Sequence, residues 1–80
     1  MDHDAILTRL TALFQEMFDD DALGLTPETT AEDVPGWDSM RHIAVVVEIE
    51  RRFGVKFLTT EIEALSNVGA FIALIKTKAA

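Results

Sequence analysis

An aspartate and a serine stand at the start of a predicted helix, in the segment Gly36-Trp37-Asp38-Ser39-Met40. Ser39 would occupy the first helical position, where backbone N–H groups and the positive end of the helix dipole favour a phosphate. Its hydroxyl could therefore carry a phosphodiester. Asp38 could cap the helix and also help to hold a metal ion during phosphoryl transfer. The alternative is ordinary capping, because such pairs are common at helix starts.

Hydrophobic periodicity predicts an amphipathic helix before this segment, from residue 4 to about residue 18. Asp2 or Asp4 would cap its start. Residues 19–38 are then predicted to form a long loop. Such a length in a small domain indicates that the loop is functional or contains a short helical turn.

The helix that begins at Ser39 is predicted to end near Phe53, because Gly54 suits the position after a helix C-terminus. Its five β-branched residues make a strand the competing interpretation, but the Glu/Arg-rich end lacks strand alternation. The predicted apolar arc comprises Ile43, Val46, Val47, Ile49 and Phe53.

Two further helices are predicted after Gly54. Thr59 or Thr60 would cap a short helix over residues 61–64, with a capping box between Thr60 and Glu63. Asn67 would cap the last helix, which runs towards two lysines that favour its C-terminus. The sequence therefore predicts an all-α bundle of three main helices and one short helix, in a single domain over residues 1–80.

The composition limits the classes of function. The net charge is −7, with ten acids and one base in residues 1–38 against four acids and six bases in residues 39–80. Such a chain repels phosphates, so a nucleic acid is not an expected partner. No cysteine, no signal peptide and no membrane-length apolar run are present, which favours a cytoplasmic monomer that does not bind membranes.

The ordered set of motifs resembles the acyl carrier protein family over roughly residues 5–76. The segment around Ser39 resembles the attachment motif of that family, and three later segments resemble the end of its second helix, its short third helix and its fourth helix. These segments are Glu48-Ile49-Glu50-Arg51-Arg52-Phe53-Gly54-Val55, Glu61-Ile62-Glu63-Ala64-Leu65, and Val68-Gly69 followed by Ile72 and Ile75.

The resemblance implies a carrier that catalyses nothing itself and has no resident metal. A phosphopantetheinyl transferase would move 4′-phosphopantetheine from coenzyme A to Ser39, between Asp38 and Met40. The thiol of this arm would hold acyl or aminoacyl groups supplied by an activating ligase and used by a downstream synthase or transferase. The walls flanking the arm would include five apolar residues, for which plain core packing is the alternative: Val45, Phe57, Ile62, Leu65 and Val68.

Enzymes of this family's pathways dock on the second helix and the loop before it. The positions implied here are Trp37, Arg41, Ala44, Glu48 and Arg51. The charged residues of this helix sum to +1, unlike the strongly acidic second helix of fatty-acid carriers, which favours a specialised polyketide, peptide, aminoacyl or modified-lipid pathway. Trp37 would be an exposed aromatic anchor for a partner, or else a loop residue folded onto the first helix.

Other interpretations stay open or fail. An aminoacyl or D-alanyl carrier also resembles the chain at Asp38-Ser39-Met40. From another class, a helical interaction module would use Ser39 only as a capping residue. A calcium loop starting at Asp19 lacks ligands at its later positions. A Ser39–His42 nucleophile pair has no third group to orient the histidine, so an enzyme is not expected.

Overall fold

The computed structural model describes residues 2–79, in which every regular element is a helix and no strand occurs. The elements are α1 (His3–Met17), a short 3₁₀ turn (Ala31–Asp33), α2 (Ser39–Phe53), α3 (Thr59–Glu63) and α4 (Val68–Lys78). The predicted all-α fold with three main helices and one short helix is confirmed. No helix in this described part has both the length and the apolar character needed to cross a membrane.

Side-chain caps fix where the three long helices begin. The backbone N–H of Ala5 donates to Asp2, that of Arg41 to Asp38, and that of Ala70 to Asn67, each over 2.8 Å. Each bond satisfies one of the free N–H groups at a helix start. All three capping predictions are confirmed, and Asp2 rather than Asp4 is the cap of α1.

The end of α2 is the predicted one, whereas the start of α3 is not. Gly54 adopts a left-handed conformation with φ of 67°, as a glycine after a helix C-terminus does. The predicted threonine caps of α3 are wrong. Leu58 holds the cap position, and its backbone N–H donates to the carboxylate of Glu61 at 2.7 Å. The side chain that stabilises the start of α3 is therefore the first-turn Glu61 and not the predicted threonine.

The core lies between α1, α2 and α4. α1 and α4 contribute most of its fully buried side chains, and α2 contributes Val45, Val46 and Ile49. The predicted arc of α2 is wrong for Ile43 and Val47, whose side chains are 62% and 54% exposed. The run from 43 to 47 is apolar on every side of the helix, so its periodicity alone does not identify the buried face.

The loop between α1 and α2 is long, but it is attached to the helices along its length. Gln15 donates to the carbonyl of Leu23 at 2.9 Å. The backbone N–H groups of Val68 and Gly69 donate to the carbonyls of Thr29 and Pro27 at 2.9 and 2.7 Å. A β-carbon on Gly69 would lie 3.0 Å from that carbonyl oxygen of Pro27, so glycine permits the close approach.

Charged side chains join α1 to α2 at the far end from Ser39. Arg52 donates to the carboxylates of Glu16 in α1, at 2.7 Å, and of Glu48 in α2, at 2.9 Å. The hydrogen bond from Arg52 lowers the pKa of Glu16, and hydrogen bonds from Arg51 and then Arg52 lower the pKa of Glu48. The ionised carboxylates therefore favour the folded state.

We expect Arg52→Gln to raise the pKa of Glu16 and Glu48 towards the ordinary glutamate value. A carboxylate with a lowered pKa contributes stability above its unfolded pKa of about 4.3 and loses it as the pH falls through the lowered value. Carboxyl ¹³C titration by NMR would report both pKa values. Urea unfolding should show a gap between wild type and variant at pH 7 that narrows below about pH 4.

Lys76→Gln, an exposed lysine of α4, is the matched control for this experiment. It removes a positive charge without touching either carboxylate. An unchanged pKa of Glu16 in the Arg52 variant would contradict the described ion pair.

Candidate functional site

Ser39 is an exposed residue in the first position of α2. The carboxylate of Asp38 accepts the N–H of Arg41, whereas the N–H groups of Ser39 and Met40 donate to no other described residue. Two free backbone donors and the positive end of a helix of 15 residues therefore surround the Ser39 hydroxyl. This arrangement favours a negatively charged group on the Ser39 oxygen.

An open cavity of about 540 Å³ lies directly beside Ser39. The 3₁₀ turn, α2 and the α3 region each contribute to its wall. The lining residues are Ala31, Trp37, Asp38, Ser39, His42, Ile43, Ile62, Glu63 and Leu65. A larger opening of about 630 Å³ at the other end of α2 is lined by Glu50, Arg51, Gly54, Val55, Lys56 and Lys78 and does not include the serine.

The five residues that the resemblance places along the arm divide into two groups. Ile62 and Leu65 line the cavity beside Ser39. Val45 and Val68 are fully buried, and Phe57 is nearly so, and none of the three is on the cavity wall. Their position corresponds to the alternative of plain core packing.

Trp37 is buried, with 7% of its surface exposed, so the predicted exposed anchor is wrong. Its ring meets Phe14 edge to face at 5.0 Å between centroids and lies 6.2 Å from the ring of Phe71 in α4. Trp37 is thus folded onto the first helix and also reaches the last. A sequence shows an aromatic residue in a loop, but it does not show which neighbours cover it.

His42 and Ile43 also lie on the cavity wall. They lie three and four positions after Ser39, and this spacing places side chains on the same face of a helix as the first residue. The indole N–H of Trp37 donates to Nδ1 of His42 at 3.2 Å, and the two rings are stacked. The helical spacing was the available signal for both residues.

The outward face of α2 combines apolar and charged side chains. Met40 is 84% exposed, and with Ile43, Ala44 and Val47 it forms an apolar stripe along the helix. Arg51 donates to Glu48 beside this stripe. Arg41 instead donates to the carbonyl of Met17 and places its guanidinium 5.3 Å from the centre of the Phe18 ring, which ties α2 to α1.

Comparison with known proteins decides the family. The model of the phosphopantetheine attachment site matches residues 8–75. The structure is similar to that of a holo acyl carrier protein from Geobacter metallireducens, with a TM-score of 0.86 and 40% identity, over 91% of this chain and 84% of that chain. The chain belongs to the acyl carrier protein family. None of the curated proteins compared with it matches.

Membership assigns a non-catalytic carrier role and a 4′-phosphopantetheine prosthetic group to this acyl carrier protein. Such carriers are modified by a phosphopantetheinyl transferase and interact with synthases or ligases. The site accommodates this group: a free hydroxyl, two unpaired N–H donors and an adjoining cavity occur together.

We expect Trp37→Ala to destabilise this acyl carrier protein by about 3 kcal/mol or more, because it removes a large side chain from the core. Trp37→Phe keeps a ring and should cost less. Ser39→Ala should change the free energy of unfolding by less than about 0.5 kcal/mol, since the residue is exposed. Urea unfolding followed by circular dichroism would measure all three.

Alanine at position 37 and alanine at position 39 should therefore have very different effects on the free energy of unfolding. An exposed anchor at position 37 would leave the stability of Trp37→Ala close to that of wild type. Such a result would contradict the burial of the indole.

Proposed function

We propose that this acyl carrier protein holds acyl or aminoacyl groups as thioesters on a 4′-phosphopantetheine attached to Ser39. The observation that carries the proposal is the exposed Ser39 hydroxyl at the N-terminus of α2, directly after a capping aspartate and beside a cavity. The only other serine in the sequence, Ser66, precedes the cap of α4 instead of following a cap. Of the two serines, therefore, only Ser39 has the helix-start environment that favours a phosphate.

Loading of Ser39 is a substitution at phosphorus. The Ser39 oxygen forms a bond to the phosphorus that bears the pantetheine and loses its proton. The bond from that phosphorus to the adenosine bisphosphate part of coenzyme A breaks. The free N–H groups of Ser39 and Met40 and the helix dipole stabilise the charge of the resulting phosphodiester. The thiol at the end of the arm would supply the group that carries acyl or aminoacyl cargo as thioesters.

The outward face of α2 supports a partner surface suited to a specialised pathway. This face has the exposed apolar stripe of Met40, Ile43, Ala44 and Val47, and Arg51 and Glu48 lie next to it as an ion pair. A partner that binds by a purely basic patch would gain little binding energy here, because the charged residues of α2 sum to +1. Apolar contacts favour a dedicated transferase, activating ligase or synthase.

We expect intact mass to rise by one phosphopantetheine when the purified protein is incubated with coenzyme A, magnesium and a broad-specificity phosphopantetheinyl transferase. Ser39→Ala should abolish the gain, because it removes the nucleophilic oxygen. Ser66→Ala is the matched control and should load like wild type. Circular dichroism would confirm that each variant is folded.

Loading of a folded Ser39→Ala variant would place the arm elsewhere. No loading of folded wild type by any transferase tested would favour the interaction module without a prosthetic group. Aminoacyl and acyl cargo are then separated by loading the holo protein with each class of activated substrate.

We expect Val47→Glu and Arg51→Glu to raise the KM of the carrier for the transferase several-fold while kcat changes little. The first variant places a charge in an apolar contact, and the second reverses a charge at its edge. Lys76→Glu in α4 is the control for a charge reversal away from this face. An unchanged KM for both variants would remove the outer face of α2 from the docking surface.

A further inference from the structure

A hydrogen bond at the cavity wall selects the tautomer of the His42 imidazole. The indole N–H of Trp37 is a donor only, so Nδ1 of His42, 3.2 Å away, must accept. An imidazole whose Nδ1 accepts is neutral and has its proton on Nε2. Trp37 thereby selects one of the two tautomers, in which Nε2–H is a hydrogen-bond donor.

Among the polar side chains of the cavity, and beside the backbone N–H groups of Ser39 and Met40, His42 is the one with a donor available to a ligand. The N–H of Trp37 is already used, and esterification would consume the hydroxyl of Ser39. The carboxylates of Asp38 and Glu63 accept hydrogen bonds and do not donate them when ionised. No described residue accepts a hydrogen bond from Nε2 of His42.

His42 also lies at the right distance along the helix. Side chains three residues apart on a helix are neighbours, with β-carbons about 5–6 Å apart. A phosphodiester on the Ser39 oxygen would therefore be within reach of the imidazole. Two side chains from outside α2, Trp37 and Phe71, contact His42, and both are uncharged. The charged side chains on the same cavity wall are Asp38 and Glu63.

We propose that His42 is a positioning residue for the arm, donating its Nε2–H to a phosphodiester oxygen of 4′-phosphopantetheine in the tautomer that Trp37 selects. The proposal rests on Ser39 as the attachment residue. The two carboxylates on the wall repel the phosphate, whereas the imidazole attracts it. The hydrogen bond from His42 would thus orient the phosphate and the direction in which the arm leaves Ser39.

Nuclear magnetic resonance of the holo protein tests this assignment. In ¹⁵N-labelled protein, long-range ¹H–¹⁵N spectra report the tautomer of each imidazole. We expect His42 to have its proton on Nε2 before and after loading. Loading should shift the Nε2 resonance of His42 and leave that of His3 unchanged.

A set of variants separates a hydrogen bond from a packing effect. His42→Leu should move the ³¹P resonance of the phosphodiester away from its wild-type position, because the donor is lost. His42→Gln should keep it near wild type, because an amide can accept from Trp37 and donate to the phosphate. His3→Leu is the matched control. Trp37→Phe removes the indole donor, so the other tautomer of His42 should become populated.

The mass of every sample is measured first, so that failure of loading is distinguished from failure of this inference. No mass gain in wild type would overturn the attachment to Ser39. A normal mass gain with the same ³¹P resonance in wild type, His42→Leu and His42→Gln would overturn the role of His42 alone. So would a His42 imidazole whose proton is found on Nδ1.

Discussion

The burial of Trp37 is the constraint on which the site depends. Two residues before an exposed serine, the chain turns inward and places an indole against Phe14 of α1 and Phe71 of α4. Burying an aromatic ring of this size is worth several kilocalories per mole, whereas the serine contributes almost nothing to stability. The position of the Ser39 hydroxyl is therefore set by the buried Trp37 and by Asp38, which caps α2.

Helix α2 faces three environments, each with a different side: the core, the solvent and the cavity. Val45, Val46 and Ile49 face the core, and the stripe from Met40 to Val47 faces solvent. His42 lies between them, at the cavity. At the far end, Arg52 and its carboxylate partners tie α2 to α1.

The sequence predicted helix positions well where a local rule decides them. Asp2, Asp38 and Asn67 cap helices because their short side chains reach the N–H groups of the next turn, and Gly54 ends α2 because glycine tolerates a positive φ. The family motifs pointed to Ser39 as the attachment residue, and this stays a prediction. Local rules failed where tertiary contacts decide. The rotation of α2 about its axis and the direction of Trp37 depend on residues distant in sequence. The cap of α3 was assigned to the wrong residue because the cap position lies before both threonines, at Leu58, whose backbone N–H donates to the carboxylate of Glu61.

The bonds from α4 to Pro27 and Thr29 have a consequence for the order in which the molecule is made. They close a ring of chain that contains both α2 and α3, and Phe71, a neighbour of Trp37, belongs to the same late helix. During synthesis the N-terminal part of a chain emerges first. Until α4 has been synthesised, the loop lacks its backbone donors and the indole lacks one wall of its pocket. The segment around Ser39 therefore acquires these contacts only after α4 has been synthesised.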